Sequence, residues 1–235
     1  MTEVEQISYR DGQTALTGLL VRPAHPARAA LVLYPTIANH NEAMKRRAAM
    51  FAQAGFLVMV ADFYGSNPVD FPQAHQWGAA LRDDTPAYRA RCTAALEALR
   101  SRPETEGLPM VAVGYCMGGQ AALEMAREGH DLAGVVTYHG LLATGRPAQP
   151  DTISARILVC HGDADPMVPR EQVMAFWEEM DHAGADWHFH SYSGVRHGFT
   201  DPASDARGLP AIGYDAAADA SSWAATHQFL DTLLG

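Results

Sequence analysis

Met110-Val-Ala-Val-Gly-Tyr-Cys-Met-Gly-Gly-Gln-Ala-Ala-Leu123 is the stretch that decides the fold. Its first half is short, apolar and β-branched, as a strand buried on both faces should be. Its second half has the composition of a helix. Between them Gly114-Tyr-Cys116-Met-Gly118 matches the G-x-S-x-G nucleophile elbow, with cysteine in place of serine. The glycines have a physical role, because the turn is strained and strand and helix pass too closely for side chains at the flanking positions. Such a turn lifts the Cys116 sulfur above the sheet edge, at the N-terminus of the next helix, where the helix dipole favours a thiolate. The plainer reading of Cys116 is a small buried hydrophobe. Its position between a predicted strand and a predicted helix favours a nucleophile.

Working outward, apolar runs cover Ala29 to Tyr34, Phe56 to Ala61, Met110 to Gly114, Gly134 to Tyr138 and Ile157 to Cys160, and a last strand is expected over Trp187 to Tyr192. Two β-rich stretches, Val4 to Tyr9 and Ala15 to Val21, flank Asp11-Gly12, a hairpin signal. Helical patterns fill Asn41 to Ala54, Tyr88 to Arg100, Gln120 to Glu128 and Arg170 to Ala183. A C-terminal helix is expected to share a stripe of Ala220, Trp223, Ala224, His227 and Leu230. Strand and helix alternate, so the expected fold class is α/β: one doubly wound, mainly parallel sheet with an N-terminal antiparallel hairpin and helices on both faces. A single domain over residues 1–235 is expected. Two stretches read as loops and candidate pocket walls, Tyr64 to Pro86 and Asp201 to Tyr214, because open α/β sheets bind ligands beyond their strand ends.

An elbow predicts its partners in the order nucleophile, acid, histidine. Cys160-His-Gly-Asp-Ala-Asp-Pro follows the fifth run and offers Asp165, just before Pro166, with Asp163 as the alternative. Either acid could equally be a turn residue or helix cap. After the last strand comes Gly194-Val-Arg-His197-Gly-Phe. His197 is the candidate general base and acid, its tautomer set by the carboxylate. The oxyanion hole is expected from the Met117 N–H and from the loop after Tyr34, at Ile37.

The composition sets limits on partners. A formal net charge of −10 argues against nucleic acid. No apolar run approaches the ~20 residues of a spanning helix, so no membrane partner is expected. The acidic start, Met1-Thr-Glu-Val-Glu-Gln, shows no secretory leader, and the odd count of three cysteines without metal spacing suggests a reduced, cytoplasmic setting. Cys92 and Cys160 read as structural filler. His188 and His190 share a strand face but lack a third ligand, so no metal is expected. His139 reads as a polar loop residue near the pocket. Trp177, Trp187 and Trp223 read as core, and Tyr64 and Trp77 as pocket candidates.

Together, Pro35-Thr-Ile, Ala61-Asp-Phe-Tyr64, Gly-Tyr-Cys-Met-Gly-Gly, His161-Gly-x-x-Asp165-x-x-Val-Pro and His197-Gly-Phe resemble the dienelactone hydrolase (carboxymethylenebutenolidase) family of the α/β-hydrolase fold, over nearly the whole chain. The resemblance implies Cys116, Asp165 and His197 as a triad, Ile37 and Met117 as the oxyanion hole, and no cofactor. It points to a small ester or lactone as substrate, with Thr36, Tyr64, Arg82 and Phe199 as binding candidates. Two positions depart from the family's pattern: Thr36 stands where its glutamate contacts the resting thiol, and Asp201 where an arginine binds the substrate carboxylate. Arg82 lies near where a second such arginine falls. Acyl transfer by the same residues and ligand binding without catalysis are the rival functions, and a monomer or small homo-oligomer is expected.

Overall fold

The computed structural model describes residues 4–235; of the acidic N-terminal segment, residues 1–3 lie outside the described residues. Eight strands join one sheet in the order β1-β2-β4-β3-β5-β6-β7-β8. They are β1 (Val4–Asp11), β2 (Thr14–Val21), β3 (Ala29–Tyr34), β4 (Phe56–Val60), β5 (Met110–Tyr115), β6 (Gly134–Tyr138), β7 (Arg156–Gly162) and β8 (Trp187–Tyr192). β1 and β2 pair antiparallel around Gly12, and β2 pairs antiparallel with β4. Every other pairing is parallel, so the hairpin occupies one edge and β8 the other.

The period of two in β3 separates two cores. Ala30, Val32 and Tyr34 pack with α3 (Thr85–Arg100), α4 (Met117–Arg127) and α5 (Arg170–His182). Ala29, Leu31 and Leu33 pack with α1 (Glu42–Gln53) and α6 (Ala216–Leu234) on the opposite face. All six residues of β3 are buried. Each fully buried Val or Leu of these strands contributes roughly 1.5–3 kcal/mol, which explains why uninterrupted apolar runs mark the central strands.

Two expectations are corrected. Tyr64 to Pro86, expected as a loop, contains α2 (Phe71–Asp83) and the start of α3. Both helices begin on aspartate caps with proline in the first turn: Asp70 accepts from Gln73 N, and Asp84 from Ala87 N. Only Ala74 and Gly78 of α2 are buried, so no apolar stripe announces it. In α6 the buried face runs through Ala218, Asp219, Ser222, Thr226, Phe229 and Leu230, while Ala220 and Ala224 are exposed. Polar groups turn that helix: Asp219 pairs with buried Arg47, and the Thr226 hydroxyl lies 2.6 Å from the Tyr138 hydroxyl. Hydropathy periodicity ignores such contacts. Among the described residues no helix is long and apolar enough to cross a membrane.

Candidate active site

Cys116 sits between β5 and α4 with φ 57° and ψ −120°, a conformation that costs a non-glycine residue roughly 1–3 kcal/mol. What holds it there is the close approach of β3, β5 and α4. A Cβ on Gly114 would stand 1.8 Å from the Gly118 carbonyl oxygen, and one on Gly118 would stand 2.0 Å from that of Tyr34. The Cys116 N–H donates to the Tyr138 carbonyl (3.1 Å), and the Tyr88 hydroxyl donates to the Met117 carbonyl (2.6 Å). The turn is therefore clamped from both neighbouring strands and from α3.

The structure brings Cys116, Asp165 and His197 together from three strand ends. Asp165 follows β7 and His197 follows β8; both are buried. His197 Nδ1 lies 2.6 Å from Asp165 Oδ2, while Asp165 Oδ1 accepts from Met167 N at 2.8 Å. Asp163 instead pairs with Arg170 at the surface, at 2.6 Å, which leaves Asp165 as the acid at the histidine. His197 Nε2 is buried without a hydrogen-bond partner among the described residues, and His197 lines the same cleft as Cys116, near enough for each group to shift the other's ionisation.

Electrostatics follow from that proximity. Burial opposes charge on the Cys116 thiol, but the His197 imidazolium and the Met117 N–H outweigh it and hold the thiol below its ordinary range. Burial likewise penalises the His197 cation. The Cys116 thiolate and Asp165 outweigh that penalty and push the imidazole up to about 10. The two groups titrate as a pair. Cys116's contribution to stability is lost as pH falls through its lowered pKa, and His197's is lost as pH rises through about 10.

Ile37 lies in a turn after β3 closed by Asn39 N donating to the Thr36 carbonyl (2.9 Å). Neither the Ile37 nor the Met117 N–H donates to a protein oxygen among the described residues; the Met117 N–H is directed at the Cys116 thiol instead. The Thr36 hydroxyl accepts from Ala38 N at 3.2 Å.

A cleft of about 960 Å³ opens over Cys116. Its walls include Thr36, Ile37, Met44, Phe71, Ala74, Leu141, Met167, Leu209 and Ile212, with Arg82, Asp201 and Arg207 among the charged residues. Asp201 is engaged by Arg207 at 2.5 Å. Arg82 bonds through Nε to the Gly78 carbonyl (3.2 Å) and forms no ion pair among the described residues. Tyr64 and Phe199 are not on the cleft wall: the Tyr64 hydroxyl sits 3.7 Å from the Met117 sulfur, and Phe199 is fully buried against Tyr192 and His139. Trp77 packs on Tyr64 and is likewise not among the residues lining the cleft.

Three features go beyond the expectations of His139 as a polar loop residue near the pocket and of residues 201–214 as a pocket wall. His139 lines the cleft with φ 40°, its Nε2 2.9 Å from the Thr200 hydroxyl and its ring 5.0 Å from that of His197. Burial first, and the nearby His197 cation second, keep it neutral. The 201–214 loop is both wall and brace: His197 N donates to the Ala211 carbonyl (3.2 Å), and Gly213 N donates to that of His197 (3.0 Å). Phe71 and Ala74 reach the cleft from the unexpected α2. Cys92 and Cys160 are buried free thiols. Among the described residues there is no group of three His, Cys, Asp or Glu able to hold a metal ion.

A mainly parallel sheet with this elbow, followed by an acid and a histidine at later strand ends, has the α/β-hydrolase fold. The chain belongs to the dienelactone hydrolase family, whose model matches residues 16–234. The crystal structure of P91, a dienelactone hydrolase-like promiscuous phosphotriesterase from metagenomic libraries, superposes with a TM-score of 0.91 at 32% identity, covering 100% of this chain and 99% of that one. An uncharacterized protein of Caenorhabditis elegans is 38% identical over 144 residues, 60% of this chain and 91% of its own. A probable 2-oxo-3-(5-oxofuran-2-ylidene)propanoate lactonase of Bradyrhizobium sp is 26% identical over 200 residues, 80% of each chain.

Proposed function

We propose that this hydrolase cleaves small esters or lactones through a thioester on Cys116. The observation that carries the reading is His197, held by Asp165 at Nδ1, its Nε2 unpartnered, and lining the same cleft as Cys116. The thiolate attacks the carbonyl carbon, forming a C–S bond and moving the π electrons onto oxygen, where the Ile37 and Met117 N–H groups stabilise them. Collapse breaks the C–O bond, and the imidazolium gives its proton to the departing alkoxide or enolate. Neutral His197 then takes a proton from water as that water attacks the thioester. Cys116 leaves as thiolate, and the ion pair is restored.

Iodoacetamide tests the assignment. Loss of p-nitrophenyl acetate hydrolysis should track alkylation of Cys116, read by peptide mass spectrometry; full alkylation with activity retained would overturn it. The alkylation rate should also reach a plateau at a pH well below the free-thiol pKa of about 8.5, because His197 stabilises the thiolate and threonine, not glutamate, stands at residue 36. A rate still climbing toward that pH contradicts the resting ion pair.

Arg82 supplies a further expectation. Its unpaired guanidinium can take a substrate carboxylate, whereas Arg207 is engaged by Asp201. Arg82→Ala should raise KM for a carboxylate-bearing ester about tenfold, a partly exposed charge-assisted bond being lost. KM for p-nitrophenyl acetate should stay within about twofold.

The likeness to P91 favours a second reading, hydrolysis of phosphotriesters by the same thiolate. Cys116-dependent release of p-nitrophenol from paraoxon supports it; release that persists in Cys116→Ala removes it. Transfer to an added alcohol in place of water would appear as a new ester among the products.

A further inference from the structure

We propose that Asn39 and Asp62 are positioning residues for the oxyanion hole, acting through the backbone turn that carries Ile37. This rests on the reading of Cys116 as nucleophile and of Ile37 N–H as an oxyanion donor.

Within the turn from Thr36 to Asn39 the Asn39 N–H donates to the Thr36 carbonyl and the Ala38 N–H to the Thr36 hydroxyl, and from the start of α1 Asn41 adds its N–H to the Asn39 carbonyl (2.9 Å) and its Nδ2 to the Thr36 hydroxyl (3.5 Å). Asn39 closes it with φ 56°, a left-handed conformation that asparagine tolerates better than most residues. Its side chain does not face the cleft. It is buried at 1% exposure and joined to the segment after β4 by three hydrogen bonds. Nδ2 donates to Asp62 Oδ1 (2.8 Å) and to the Ser66 carbonyl (3.2 Å), and Oδ1 accepts from Phe63 N (3.1 Å).

Asp62, itself 2% exposed, is the hub of that segment. Oδ1 also accepts from Tyr64 N and Gly65 N, both at 2.9 Å, and Oδ2 accepts from Thr17 N of β2 at 2.9 Å. The carboxylate thus meets four N–H donors from three stretches of chain. One buried side chain ties the Ile37 turn to β2 and to the segment after β4. An oxyanion donor misplaced by about 1 Å loses much of its value, because its electrostatic stabilisation is worth most when already oriented. Neither side chain needs to touch substrate for its loss to reach the rate.

Asn39→Gly separates this role from backbone strain, since glycine accepts a positive φ while all three side-chain bonds disappear. Two reactions of one sulfur then distinguish positioning from general damage. Ester hydrolysis needs the oxyanion hole; alkylation by iodoacetamide needs only the thiolate. In Asn39→Gly, kcat for p-nitrophenyl acetate should fall about 10- to 100-fold, somewhat less than outright removal of a donor. KM and the iodoacetamide rate of Cys116, with its pH profile, should each stay within about twofold. Asp62→Asn, which sets an amide N–H₂ against existing N–H donors, should show the same split and serves if Asn39→Gly does not fold. Equal loss of hydrolysis and alkylation, or hydrolysis at the wild-type rate, overturns the proposal. Cys116→Ala run beside them keeps the two readings apart. If it remains active the nucleophile assignment fails; if it is inactive while both other variants hydrolyse normally, only the positioning role fails.

Discussion

Cys116→Ala is expected to lower kcat/KM for p-nitrophenyl acetate by about 10⁴-fold or more, the scale seen when a nucleophile is removed from a hydrolytic triad. The size follows from what alanine cannot do. No C–S bond can form, so the reaction loses its two-step path and with it the thiolate held beside the His197 imidazolium. Asp165, His197 and the Ile37 and Met117 N–H groups remain, and with them a residual capacity to activate water directly. Cys116→Ser should be nearly as poor. A hydroxyl does not ionise in this range, so the charge pair that sets both pKa shifts disappears, and His197 should return toward the ordinary imidazole range. Initial rates at matched protein concentration decide the matter, and a Cys116→Ala rate equal to wild type would end the nucleophile assignment.

The largest effect on stability is expected from Gly118→Ala, a change of one methyl group. Its carbon would stand 2.0 Å from the Tyr34 carbonyl oxygen and 2.4 Å from that of Pro35. Both obstacles are backbone, at the end of the fully buried central strand β3, so no rotamer change relieves them. Relief requires α4 to move off the sheet, which breaks the packing of Met117, Ala121 and Ala122. A cost of about 3 kcal/mol or more is expected, as for severe overpacking. For a chain of this length that lowers Tm by roughly 6–12 °C. Activity should fall as well, since α4 carries the Met117 N–H and Pro35 precedes the Ile37 turn. Thermal unfolding measures the first effect; a Tm within about 2 °C of wild type would show that the elbow tolerates displacement.

Both predictions start from residues that were legible in the linear sequence, and the reason is physical. The nucleophile turn is local: strand, turn and helix are contiguous, and the two glycines that permit their close approach lie within five residues. The central strands were equally legible. Burial on both faces demands uninterrupted apolar runs, and the expected bounds of Ala29–Tyr34 and Gly134–Tyr138 coincide with β3 and β6; those of Trp187–Tyr192 coincide with the edge strand β8. The parallel sheet, its edge hairpin and the family followed from the same signals.

Interactions between distant segments were not legible. α2 hid because only two of its residues are buried, leaving its aspartate cap and Pro72 as the only local marks. The buried face of α6 was missed because Asp219 and Thr226 turn inward toward Arg47 and Tyr138, partners 172 and 88 residues away. Asp165 was preferred to Asp163 on its place just before Pro166, but the partners that separate them were not legible: Arg170 engages Asp163, and Asp165 is buried beside His197.

By itself, then, the sequence determined the sheet, the elbow and the order of Cys116, Asp165 and His197, because each depends on contiguous residues or on chain order. Tertiary structure alone decided what surrounds them: the ion pair that takes Asp163 to Arg170, the helix α2 that forms part of the cleft wall, and the buried Asp62 side chain that steadies the Ile37 turn. Those depend on hydrogen bonds and ion pairs made across the chain, whose strength comes from burial that no local pattern encodes.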